Sequence, residues 1–270
     1  KPELFKKQPY YLPGCDSYAQ FPDDPALSDW IRHVKPAALA TRHDPALIRD
    51  WLRGQGTWFV GVNALPNDRR GVVGNSGPLQ GMAIDFARGA LKFGQGDLDR
   101  AQVSICYPGF PKRMQSESDA AFAFRLKRDA AHVDGLHPVG PQRQRRLEEF
   151  SGFLLGIPIT DTSDGAAPLV VWEGSHKIMA RMFVDQLSPV PRENWPELDL
   201  TQAYQTARKH VFETCTCKVL HAKPGEAYVL HRMALHGVAA WQPAAIAPPE
   251  GRAILYFRPE IDQQTWLDLP

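Results

Sequence analysis

The chain has 270 residues, 43% of them hydrophobic and 23% charged, enough to bury a full core without the staples that small folds need. Lysine and arginine total 31 against 30 acidic residues, a formal net charge of +1, so no global field directs the chain to nucleic acid or to an anionic membrane. The longest apolar runs are of strand length, Lys1 to Tyr11 mixes lysines with aromatics, and the cysteines (Cys15, Cys106, Cys215 and Cys217) are few and scattered. This reading gives no membrane span, no signal peptide and no disulfide framework, and it places the protein in a reducing cytoplasm.

In chain order, residues 1–100 read as helices and loops. Asp24-Pro25-Ala26-Leu27 and Asp44-Pro45-Ala46-Leu47 share one helix-start device. Aspartate caps free backbone N–H groups, and proline takes the first helical position, where its missing donor costs nothing. Trp30 and Ile31, then Leu47, Ile48, Trp51 and Leu52, give each helix an apolar stripe. A third helix is predicted from Leu79 to Leu91, after the Gly- and Asn-rich loop around Gly71 to Gly77.

From Ala101 onward the pattern changes to short apolar or alternating runs separated by Gly, Pro and Asp, the mark of an all-β barrel or sandwich. Predicted strands are Val103–Tyr107, Ala130–Val133, Phe150–Ile159, Pro168–Trp172, Lys218–Ala222, Ala227–His231, Val238–Trp241 and Arg252–Phe257. Such a set suits a jelly roll. The expected architecture is therefore mainly β, a double-stranded β-helix of jelly-roll or cupin type with flanking α-helices. The whole chain, 1–270, is read as one domain, with its core at 101–260. The segment Val184 to Phe212 carries Pro189, Pro191 and Pro196 and ends in a predicted helix, Leu200 to His210. So long an excursion inside a barrel reads as a lid or flanking element.

His132-Val133-Asp134 puts an imidazole and a carboxylate two residues apart at a predicted strand end. Side chains at that spacing share a face, so both can grip one ion from the same side. A later His completes a set of two imidazoles and one carboxylate, which leaves positions open for a bidentate co-substrate and dioxygen, the arrangement of non-haem Fe(II) oxygenases. The later stretch from Lys223 to Gly237 reads as a turn at Gly225-Glu226, a strand, and then His236-Gly237.

With these pieces the sequence resembles the phytanoyl-CoA dioxygenase-like superfamily of Fe(II)/2-oxoglutarate-dependent oxygenases. The resemblance rests on His132-Val133-Asp134, on Leu169 to Trp172 with the turn Gly174-Ser175-His176, on Gly225-Glu226 through His236-Gly237, and on Gly251-Arg252-Ala253-Ile254-Leu255, in family order. It covers residues 101–260. It implies that His132, Asp134 and His236 bind Fe(II) and that Arg252 pairs with the distal carboxylate of 2-oxoglutarate through its planar fork. With O2 as oxidant, the implied reaction is hydroxylation of a C–H bond in a small organic substrate, with release of succinate and CO2. In halogenating relatives a small residue replaces the carboxylate, so Asp134 points to hydroxylation. Arg252 follows His236 by a longer interval than the family usually has, the extra length being the loop Gln242 to Glu250. The competing arginine is Arg258, on the same strand face and expected deeper or at the far end.

The other histidines have plainer readings. His231 reads as a packing residue and the rival third ligand, and His176 as a tie within its turn. His137 is a pocket-lining candidate, and His33, His43, His210 and His221 are surface or packing residues. Cys215-x-Cys217 lacks a second pair, and alternation would bury both thiols on one strand face. Ser104, Tyr107, Thr160 and Trp172 are candidates to face the co-substrate. Arg125-Leu126-Lys127-Arg128 and Arg143-Gln144-Arg145-Arg146 read as solvated charge or a greeting for an acidic substrate. Two other functions fit the residues less well: a cupin-type metalloenzyme that does not use 2-oxoglutarate, and a non-catalytic jelly-roll binding module. The expected partner is a small-molecule substrate, with no nucleic acid and no membrane; the oligomeric state is open.

Overall fold

The computed structural model describes residues 17–90, 96–115 and 117–268; Lys1 to Tyr11, Cys15 and Leu91 lie outside them. The strands are β1 (Tyr18–Phe21), β2 (Leu52–Arg53), β3 (Trp58–Phe59), β4 (Gln102–Cys106), β5 (Leu136–Val139), β6 (Gln144–Leu147), β7 (Phe153–Pro158), β8 (Leu169–Trp172), β9 (Cys217–Leu220), β10 (Ala227–His231), β11 (His236–Val238) and β12 (Arg252–Phe257). A large antiparallel sheet runs in the order β1-β10-β7-β12-β4-β3-β2, a small one in the order β11-β8-β9, and β5 and β6 form a hairpin. The described helices include α1 (Pro25–Ala40), α2 (Pro45–Trp51), α3 (Met82–Ala90), α4 (Asp119–Lys127), α5 (Ser175–Leu187) and α6 (Thr201–Thr214). None of the described helices is long and apolar enough to cross a membrane.

Alternation sorts the large sheet into two faces. Val103, Ile105, Leu155, Ile157, Val229 and Leu255 point outward into one cluster with Trp30, Ile31 and Val34 of α1 and Ala83, Ile84 and Ala87 of α3. Leu154, Tyr228, Leu230, Ile254 and Tyr256 point inward and meet Leu169, Val171 and Leu220 of the small sheet. With both faces covered, β7, β10 and β12 are buried at every position, which is why they read as continuous apolar runs. Two antiparallel sheets facing each other beneath helices are compatible with the expected jelly-roll core.

Both expected caps form. Asp44 accepts from the N–H groups of Ala46 and Leu47. Asp24 accepts from Ala26 at 2.9 Å with one oxygen and from Met82 at 2.6 Å with the other. One carboxylate thus caps α1 and fixes the start of α3, each bond contributing about 1 kcal/mol. Gly225 lets this junction close: its carbonyl accepts from Asp24 at 2.9 Å, and a Cβ there would lie 2.1 Å from an oxygen of Asp23.

The excursion between β8 and β9 is longer than expected, because it begins at Ser175 with α5 instead of at Val184. Met179, Met182, Phe183 and Leu187 bury a stripe at helical spacing. This packs with Trp195, Leu200, Tyr204 and Val211, and with Ala131 and Val133 of the His-x-Asp segment. The excursion is a packed flanking layer with a core of its own. Cys215 falls at the end of α6 and Cys217 opens β9 exposed, so the expected burial of both thiols on one strand face does not occur.

Candidate metal centre

α4 hands the chain to the edge of the small sheet through two non-glycine residues in left-handed backbone, Asp129 (φ +49°) and Ala130 (φ +55°). Such residues are strained and persist only where their surroundings hold them. Here the holding bonds are His132 N–H to the His236 carbonyl (2.8 Å), His236 N–H to the His132 carbonyl (3.0 Å) and Val238 N–H to the Asp129 carbonyl (2.9 Å). These bonds set the two imidazoles side by side, with ring centroids 4.6 Å apart. Gly237 permits the approach, since a Cβ there would lie 2.1 Å from the Asp129 carbonyl oxygen. Gly135 (φ +83°) turns the chain after Asp134, where a Cβ would lie 2.3 Å from the Glu149 carbonyl. His-Gly and Asp-Gly in the sequence therefore have steric causes.

Nδ1 of His132 lies 3.0 Å from the Ala130 carbonyl, and Nδ1 of His236 lies 2.9 Å from the Ala234 carbonyl. A carbonyl oxygen only accepts, so each Nδ1 carries the hydrogen and each Nε2 presents a lone pair. The Nε2 atoms stand 3.4 Å (His132) and 3.7 Å (His236) from Oδ1 of Asp134. The three side chains each offer one donor atom, all within 4.8 Å of one another. Lone pairs converging without a hydrogen between them repel unless a cation enters, so the donor set fits a divalent metal.

The electrostatics agree. Burial alone would raise the Asp134 carboxyl, but His236, the Arg258 guanidinium and His132 outweigh it and hold the group well below the usual carboxylate range. Burial pushes the His236 imidazole down to about 4 against the partial opposition of Asp134. At neutral pH the pair is an ionised carboxylate beside a neutral imidazole, the protonation state a metal needs.

A second set of bonds presents His236. Ser175 Oγ accepts from Leu235 N–H at 2.9 Å, Trp172 N–H donates to the Leu235 carbonyl at 3.0 Å, and His231 Nδ1 accepts from Met233 N–H at 3.0 Å. His176 stacks on His231 at 4.8 Å and meets Ser17 Oγ at 2.8 Å. His231, the rival third ligand, thus braces the loop, and among the described residues the group able to hold a metal is His132, Asp134 and His236. The Gly-Ser-His turn is a strut, as expected of His176. His137 lies 3.4 Å from Glu149, which raises its pKa above the ordinary value.

Beside the triad is a cavity of about 200 Å³, below the range typical of drug-sized pockets and so suited to small ligands. Its walls are mostly apolar, from Trp58, Val60, Val62, Leu154, Leu169 and Val238, with Gln102, Ser104, Tyr256 and Arg258 as the polar wall groups. Of the candidates to face a co-substrate, Ser104 lines this cavity. Thr160 lines a small void farther in, Tyr107 lies under Arg42, and Trp172 packs on Phe212.

The two arginines are placed differently from expectation. Arg258 is at the metal end, not deeper: Nη1 is 3.4 Å from Asp134 Oδ1, and Nη2 donates to Gln102 Oε1 at 2.7 Å. Arg252 is the deep one. Six residue steps, roughly 20 Å of extended Cα path, separate them, Arg252 opening β12 and Arg258 following its last residue. Arg252 is 3% exposed, with Nη2 donating to the Ala167 carbonyl, while Nε and Nη1 are buried without a partner. Tyr228 lines its void and Tyr256 lines the cavity, their hydroxyls 3.2 Å apart. A buried guanidinium with two idle nitrogens is costly until an anion reaches it. Trp58, Val60 and Val62 were not legible as site residues, because a two-residue strand is too short to show periodicity.

No protein-family model matches the sequence, and no curated protein matches it significantly. Among solved structures, the chain is similar to SnoK, a non-haem alpha-ketoglutarate-dependent carbocyclase from nogalamycin biosynthesis (12% identity, TM-score 0.45, 90% of this chain and 80% of that one). It is similar to EctD from S. alaskensis with bound Fe (18% identity, TM-score 0.43, 90% and 73%). It is also similar to AviO1 from Streptomyces viridochromogenes Tue57 (15% identity, TM-score 0.42, 92% and 90%). Similarity at this level leaves the chemistry to be read from the site itself.

Proposed function

We propose that the chain is a mononuclear Fe(II)- and 2-oxoglutarate-dependent dioxygenase with a jelly-roll core, hydroxylating a C–H bond of a small organic substrate. The observation that carries this reading is the convergence of two imidazole Nε2 lone pairs, each fixed by an Nδ1–H bond to a backbone carbonyl, on one ionised carboxylate at the mouth of a small cavity. His132, Asp134 and His236 would hold the iron, and Arg252, with its buried unpartnered nitrogens, the distal carboxylate of 2-oxoglutarate. When bound, iron and 2-oxoglutarate supply the oxidising power: one atom of O2 enters succinate as CO2 is lost, and the other enters the substrate.

The chain's own contribution is placement and shielding. Carbonyls of Ala130 and Ala234 keep the imidazoles in the metal-binding tautomer. Ser175 and His231 hold the loop that carries His236. The apolar walls exclude water from the reacting centre. Under anaerobic conditions, adding Fe(II) and then 2-oxoglutarate should generate a visible charge-transfer absorption, and admitting O2 should convert 2-oxoglutarate to succinate. Metal binding with no 2-oxoglutarate binding and no succinate would sink this reading in favour of a cupin-type metalloenzyme. No metal binding at all would leave a binding module.

A further inference from the structure

Arg258 is the cation that lines the cavity among the described residues; from 3.4 Å it helps keep Asp134 ionised, and neither the metal nor the co-substrate assignment uses its remaining donors. Alternation along β12 places Arg252, Ile254 and Tyr256 on the inward side, and Arg258, the residue just after the strand, lines the cavity beside Tyr256. Arg258 is anchored from behind: Gln102 Nε2 donates to the Val60 carbonyl at 2.9 Å, which turns Gln102 Oε1 toward Arg258 Nη2 at 2.7 Å. The backbone N–H of Arg258 is held by Asp99 at 2.9 Å. Toward the cavity, Nη1 makes only the long 3.4 Å contact with Asp134. Among the described residues, the contacts with Gln102 and Asp134 are the hydrogen bonds that the Arg258 side chain makes. The nearby Glu149 is engaged with His137 at 3.4 Å. A guanidinium held rigid on one edge and open on the other, over apolar walls, is a receptor for a planar anion.

We infer that Arg258 recognises a carboxylate of the primary substrate, so that the substrate is a small molecule with an apolar body and one anionic end. The inference rests on the oxygenase reading. It also bears on regiochemistry: with Arg258 next to Asp134, the C–H bonds brought nearest the triad are those within a few carbons of the carboxylate.

The test uses the full chain loaded with Co(II) and saturating 2-oxoglutarate under argon. Straight-chain carboxylates of four to eight carbons, and their primary amides, are titrated in while the visible Co(II) absorption is followed. The expected result is that at least one acid binds about tenfold or more tightly than its amide. Arg258→Gln should remove that preference while it still binds Co(II) and binds 2-oxoglutarate within about threefold of the native affinity; Co(II) affinity is measured separately, because Arg258 also helps hold Asp134 ionised. Equal affinity for acids and amides, no response to any acid, or a preference that survives in Arg258→Gln would each overturn the inference; survival would mean that the acids reach the metal or the Arg252 pocket instead. An Arg258→Gln protein that loses Co(II) would reassign the residue to holding Asp134 and would equally overturn it. Failure of the native protein to bind Co(II) or 2-oxoglutarate would be a different result, against the oxygenase reading itself.

Discussion

His236 is held at about 4 by burial, below its ordinary 6.5. The unfolded chain takes up that proton near 6.5, so between about 6.5 and 4 the unfolded state binds more protons than the folded one and stability falls as pH drops. Scanning calorimetry of the metal-free protein should show a melting temperature that declines from pH 7 to 5, with a shallower slope for His236→Gln; equal slopes would mean that the imidazole titrates normally. Asp99, raised to about 6 by burial, and His137, raised by its contact with Glu149, work in the opposite sense over part of the same window, so the difference between variant and native is the quantity to read. The arginines invite a paired measurement. Arg252→Lys replaces a bidentate fork with a point charge and should weaken 2-oxoglutarate at least about tenfold in anaerobic calorimetric titrations, with metal affinity preserved. Arg258→Lys should leave 2-oxoglutarate affinity nearly unchanged, and the reverse pattern would exchange their roles. At this scale the grouping of His132, Asp134 and His236 was legible from their residue types and order, but not through strand parity. The predicted strand Ala130–Val133 does not form, because Asp129 and Ala130 are left-handed and His132 makes only an isolated bridge to His236, with Asp134 in the turn that follows. The depth of Arg258 was not legible, because which end of β12 meets Asp134 is decided by tertiary pairing.

β11 and the segment before Asp134 cross so closely that a glycine is required between them. Gly237→Ala would drive a Cβ to 2.1 Å from the Asp129 carbonyl, and relief means breaking the backbone bonds that align His132 with His236. We expect a loss of about 1–3 kcal/mol in denaturant unfolding together with weakened metal binding. Gly89→Ala in α3, where an added Cβ meets nothing within 4 Å, should be neutral or stabilising by up to about 1 kcal/mol. If Gly237→Ala unfolds and binds metal like the native chain, the crossing is looser than described. The element pattern also marks where sequence reasoning stopped. β10 and β12 were predicted with their observed bounds because both faces are buried and Gly225 and Gly251 stand just ahead of them. α4, with no buried residues, offered no stripe to read. α5 did carry a stripe, at Met179, Met182, Phe183 and Leu187, but the Gly-Ser-His turn at its start drew attention to a loop. β1, β2 and β3 depend on pairing with β10 and β4, and such short strands have no signal apart from their partners.

At the scale of the molecule, the triad joins parts that are far apart in the chain. His132 and Asp134 precede the β5–β6 hairpin, while His236 follows the α5–α6 layer and β10. In the unfolded chain these donors are dispersed, so a metal that binds all three binds the folded state almost exclusively, and its free energy adds to stability. At a free Co(II) or Fe(II) concentration about a hundred times the dissociation constant, the gain is about 2.7 kcal/mol. For a chain of this size that corresponds to a rise of roughly 5–10 °C in melting temperature. Adding a chelator should reverse it. Asp134→Ala should keep the fold, since Asp134 contributes to the ion site and not to any of the apolar clusters, yet show no metal-dependent rise. Its circular dichroism should match that of the native protein. A native chain whose melting temperature is indifferent to Co(II), Fe(II) and chelator alike would show that the three donors are not a metal site. An Asp134→Ala variant that kept the full rise would move the site elsewhere in the chain.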